Sequence, residues 1–166
     1  MKYLLTILLA FSFVIINAEI ARSEFKQPTA ISRMFPPELT KSITVSGSLS
    51  AYQFNTYREP TVAIYPKKLE LNMVYNGIDD ENWPYTRILA TLLNNVCQIK
   101  DTNFSTNLIE QTYRSRSLTP AVNLGGNAGT SVSKRQSATR NGCLVSVEVK
   151  GARWHTITTT IAPARK

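Results

Sequence analysis

Residues 68–99, KLELNMVYNGIDDENWPYTRILATLLNNVCQI, carry two hydrophobic periods in one run, and the change between them decides the fold. Leu69, Leu71, Met73 and Tyr75 alternate with Lys68, Glu70, Asn72 and Val74, the period of a strand with one buried face. Asn76-Gly77 ends that strand, and Asp79, Asp80 and Glu81 lead into Trp83-Pro84. Acids are stabilised near the positive end of a helix, and proline is tolerated in a first turn, where its missing N–H has no intrahelical partner anyway. Tyr85, Ile88, Leu89, Leu92, Leu93, Val96 and Ile99 then recur at spacings of three and four. That spacing predicts an amphipathic helix over about 82–99, with Cys97 in its last turn.

Toward the N-terminus, Ile43, Val45, Leu49 and Ala51 fall on alternate positions around Gly47, which predicts one strand over 42–51, weakened or bulged at the glycine. Residues 61–65 lie between Pro60 and Pro66 and read as a second strand, placed at an edge because proline donates no ladder hydrogen bond. Residues 19–41 mix Pro28, Pro36 and Pro37 with polar side chains and are expected to form an extended arm.

Beyond the helix the pattern is less regular. Residues 106–114 put Leu108, Ile109 and Tyr113 on one face of a short helix that Ser105 could cap, and a strand fits almost as well. Residues 117–142 hold Gly125, Gly126 and Gly129 among many hydroxyls and read as a connecting loop. Val145 and Val147 alternate within 143–149, a turn falls at 150–152, and 153–161 is rich in Trp, Ile and Thr: a terminal β-hairpin. Strands followed by a helix and then a hairpin, without repeated β-then-α units, indicate the α+β class. The expected architecture is a mainly antiparallel sheet packed on one amphipathic helix and ending in a β-hairpin.

Lys2 precedes an apolar run over residues 3–16 that closes on Asn17-Ala18, the pattern of a secretory signal peptide over 1–18. That run of 14 residues falls short of the roughly 20 needed to cross a bilayer as a helix. Cleavage after Ala18 leaves the arm at 19–41 and a single α+β domain at 42–166, in a periplasmic or secreted setting. Oxidation is favoured there, so Cys97 and Cys143, the two cysteines, are expected to pair and to join the helix end to the start of the hairpin. The alternative is a reactive Cys143 thiol activated by His155.

Residues 19–113 carry a net charge of −1 and residues 114–166 a net charge of +8, with Glu148 the one acid of the latter. Arg114, Arg116, Lys134, Arg135, Arg140, Lys150 and Arg153 are the candidate anion- or partner-binding residues, with Tyr113 and Trp154 as stacking surfaces. Their expected partner is an envelope protein or an anionic surface: acidic lipid, lipopolysaccharide or nucleic acid. No cofactor and no catalytic or metal-binding set is assigned. The glycine cluster matches neither a dinucleotide fingerprint nor a P-loop, and His155 is the only histidine. The 79–81 acids lack the spacing of a calcium loop. The function read from these features is binding or assembly at the cell envelope, in complexes such as those that move protein or nucleic acid. A phage or plasmid exclusion, immunity or inhibitor protein is one alternative, and a small cell-wall or secreted-polymer hydrolase is the other.

Overall fold

A computed structural model describes residues 25–56, 58–75, 83–114, 132–151 and 155–164. The signal peptide expected at 1–18, the acids at 79–81 and the glycine cluster at 125–129 lie outside these residues. Four strands come first: β1 (Thr40–Ile43), β2 (Ser50–Phe54), β3 (Thr61–Tyr65) and β4 (Lys68–Tyr75). Two helices follow, α1 (Trp83–Cys97) and α2 (Thr102–Arg114), and then β5 (Val132–Arg140), β6 (Cys143–Gly151) and β7 (His155–Pro163). All seven strands form one antiparallel sheet in the order β1-β2-β3-β4-β7-β6-β5. The sheet is therefore two meanders joined along one seam, where β4 pairs with β7 from Leu69↔Ile161 to Tyr75↔His155.

The period of two in 69–73 does what its chemistry requires. Leu69, Leu71 and Met73 face the core beside Ile157, Thr159 and Ile161 of β7 and Val145, Val147 and Val149 of β6. Tyr85, Leu89, Leu92, Leu93 and Val96 of α1 close over them and are fully or almost fully buried. The Tyr85 hydroxyl donates to the Leu71 carbonyl at 3.1 Å and shares a 2.8 Å hydrogen bond with the Thr159 hydroxyl, which fixes α1 above the seam. The helix stops at Cys97 because Gln98 turns left-handed (φ 55°) and the Ile99 N–H reaches back to the Leu93 carbonyl at 3.2 Å. α2 packs against β5 and β6 and buries Leu108, Ile109 and Thr112.

Several expectations need correction. The single strand over 42–51 is a hairpin, β1 and β2, turned at residues 45–48, where Gly47 takes φ +74° and the Ser48 N–H donates to the Val45 carbonyl. β3 lies inside the sheet, because Pro60 and Pro66 fall just outside its ladder and remove no bond from it. The stretch expected as an extended arm contains 3-10 turns at Ile31–Arg33 and Pro37–Leu39 and sends Ile31 and Phe35 into the core, Phe35 edge-on to Phe54 at 4.9 Å. α2 is a helix that begins at Thr102, earlier than expected: the Asp101 carboxylate, not Ser105, accepts the Asn103 N–H at 3.0 Å. Residues 132–140, expected as loop, are β5, joined to β6 by Asn141 (φ 49°) and Gly142 (φ 73°). Two consecutive left-handed residues make a type I′ turn, whose twist matches that of the strands it joins.

Candidate functional site

Alternation along β5 and β6 sorts the basic residues before any partner does. Register places Lys134, Gln136, Ala138 and Arg140 on the helix-bearing face, beside Val149, Val147, Val145 and Cys143. Ser133, Arg135, Ser137 and Thr139 stand on the other face with Lys150, Glu148, Ser146 and Leu144. Among the described residues no helix covers this second face. Its rows are polar: Glu70, Thr160, Ser146 and Ser137 in one, Asn72, Thr158, Glu148 and Arg135 in the next.

Glu148 is the electrostatic centre of the open face. Its carboxylate takes Arg135 at 2.8 Å, Lys150 at 3.1 Å and the Ser133 hydroxyl at 2.9 Å. Partial burial pushes this carboxyl up, but the hydrogen bonds from Arg135, Lys150 and Ser133 outweigh burial and hold it below the ordinary glutamate value. The Arg135 side chain remains 62% exposed, so its outer guanidinium edge is open to solvent.

Arg140 serves a different place. It donates to Asp101 at 2.8 Å, lies over the Phe104 ring at 5.4 Å, and by its hydrogen bond holds the exposed Asp101 carboxyl below the ordinary range. Next to it the Asn141 amide donates to the Gln98 carbonyl at 3.2 Å. Cys97 and Cys143 are joined beneath, fully buried, with Cα atoms 6.0 Å apart. Three links thus tie the β5–β6 turn to the junction between the helices.

The candidate residues do not all share one surface. Arg135 and Lys150 stand together on the open face, Lys134 and Arg140 on the helix side, and Arg114 ends α2. Arg116, Arg153, Trp154 and the side chains of Tyr113, Arg114 and His155 lie outside the described positions. No family model, curated protein or solved structure matches this chain.

Sequence reasoning missed the groove formed by Met34, Phe35, Leu39, Phe54, Pro84 and Ile88, about 400 Å3 in volume and mainly apolar. Its walls come from distant segments, so no local pattern announces it. Among the described residues no cluster of three or more His, Cys, Asp or Glu side chains could hold a metal ion, and no helix is long and apolar enough to cross a membrane.

Glu148 gives a pH test. A carboxyl whose folded pKa is depressed adds stability that is complete above the ordinary value of 4.5 and is lost as pH falls through the lower folded value. Glu148→Gln is expected to cost under about 1 kcal/mol at pH 7, as for other exposed ion pairs. The gap from wild type should close on acidification in urea titrations. A gap constant with pH would mean that the carboxylate's charge contributes nothing.

Proposed function

We propose that this chain is an exported binding or assembly protein of the cell envelope, periplasmic or secreted, that acts through its surface and not by catalysis. Its basic C-terminal third meets an anionic or acidic partner. The observation that carries the reading is the open sheet face at β5 and β6, where Arg135 and Lys150 project around a single acid. Residues 114–142 contribute Arg114, Arg116, Lys134, Arg135 and Arg140 and no acid at all, and a stretch of one sign favours an anionic partner. The buried Cys97–Cys143 bridge suits an oxidising compartment. The apolar groove suits a contact surface better than an acid–base site.

The test combines location and salt. Cells expressing the full chain are expected to deliver it to the periplasm or medium, beginning at Glu19. Retention on vesicles of acidic phospholipid or on duplex DNA should fall steeply between about 50 and 200 mM salt, as for contacts that release counterions. The triple variant Lys134→Ser, Arg135→Ser, Lys150→Ser should flatten that dependence, compared at matched folded yield because it also takes both cations from Glu148; Arg140 is left in place because it holds Asp101. Cytoplasmic retention of the whole chain, or a triple variant with wild-type salt dependence, would refute the reading.

A further inference from the structure

β5 is the outer strand of the sheet, nine residues long, with no proline within it and no bulge in its register with β6. The two-residue turn makes Arg140 and Cys143 a mutually hydrogen-bonded pair, and alternation carries that pattern along the ladder. Val132, Lys134, Gln136 and Ala138 therefore spend their backbone groups on β6. Ser133, Arg135, Ser137 and Thr139 turn theirs outward, and among the described residues no backbone hydrogen bond reaches them from outside the hairpin. Such a row is a template for one more strand.

We propose that the outer edge of β5 accepts an extended acidic segment of a partner protein as an eighth strand. Charge selects this occupant. The edge carries Lys134, Arg135 and Arg140 and no acid, and its side chains point alternately to both faces, so an added strand meets cations on each. Arg135 and Arg140 keep exposed guanidinium surface (62% and 44%) beside their internal acids. A second copy of β5 would instead set three cations against three, a pairing that like charge opposes. The inference rests on the reading of this chain as a binding protein and adds main-chain recognition to its electrostatics.

The probe is a fluorescein-labelled nine-residue peptide alternating glutamate with valine and threonine, with a lysine-for-glutamate peptide as control, titrated into the full oxidised chain. The acidic peptide is expected to bind at least tenfold more tightly than the basic one. It should slow amide exchange at Ser133, Arg135, Ser137 and Thr139 while leaving the already paired Lys134, Gln136 and Ala138 little changed. Ser137→Pro removes an outward N–H and no backbone bond to β6, losing there only the exposed 2.7 Å hydroxyl contact with Ser146, so it should fold and weaken the peptide tenfold or more, whereas Ser137→Ala, which loses the same hydroxyl and keeps the N–H, should bind as wild type. Equal binding of both peptides, unprotected outward amides, undiminished binding by Ser137→Pro, or dimerisation through β5 would each overturn the proposal. If the peptide fails while salt-dependent retention on vesicles or DNA persists, the edge inference falls alone; if the peptide binds without such retention, the edge stands and the anionic-surface reading falls.

Discussion

Replacing Cys97 and Cys143 together by alanine is expected to lower the free energy of unfolding by about 4 kcal/mol, much of the stability of an ordinary domain. The two residues are 46 apart in sequence, and closing a loop of that length in the unfolded chain accounts for the figure in the chain-entropy model. Both side chains are fully buried, so the loss of packing adds to the effect, and alanine avoids placing unpartnered hydroxyls in the core. Urea unfolding followed by tryptophan fluorescence and far-UV circular dichroism measures it. A loss under about 1 kcal/mol would show that the bridge holds together what α1, β6 and the Arg140–Asp101 pair already hold.

Tyr85→Phe should cost about 1–3 kcal/mol, although it removes one oxygen atom. That oxygen joins Leu71, Tyr85 and Thr159 in a fully buried spot, and without it the Thr159 hydroxyl loses its side-chain partner. Adding Thr159→Val removes the stranded group as well, and most of the loss should return, because an apolar pair of similar shape leaves nothing polar unsatisfied. Thermal and urea midpoints of the two single variants and the double variant decide it. Strict additivity in the double variant would mean that the two hydroxyls do not act as a pair.

The sequence discloses most of the middle of this fold and little of its margins, for reasons that differ by element. β4, α1, β6 and β7 each bury one face, so their apolar residues recur at the strand or helix period, and the even cysteine count gives the bridge that joins two of them. β5 offers the helix side little apolar surface: of Lys134, Gln136, Ala138 and Arg140 only Ala138 is apolar, and an edge strand of this kind has no period to read. Its signal lay in the turn, since Asn141-Gly142 is the residue pair that a two-residue hairpin favours. Ile31 and Phe35 were illegible for a different reason. Each is a lone anchor in a proline-rich stretch, and only the core, built from distant segments, gives them a place. The candidate basic residues were legible as a composition, but which face each occupies follows from the register of a strand that composition alone conceals.

The seam between β4 and β7 also sets the order in which this chain can acquire its shape. The pairings within each meander are local and can form as soon as their residues exist, whereas Asn72 and Thr158, hydrogen bonded across the seam at 2.7 Å, are 86 residues apart. Non-local pairing makes a chain fold slowly, because the ends of a long loop must meet before any contact compensates for the ordering. A chain threaded out N-terminus first would present β4 with its inner edge unpaired until the last strand arrives. A bridge formed between Cys97 and Cys143 takes 46 residues out of that loop and roughly halves it, saving about 0.6 kcal/mol of closure entropy. The disulfide then works twice, holding the finished sheet and shortening the search that completes it.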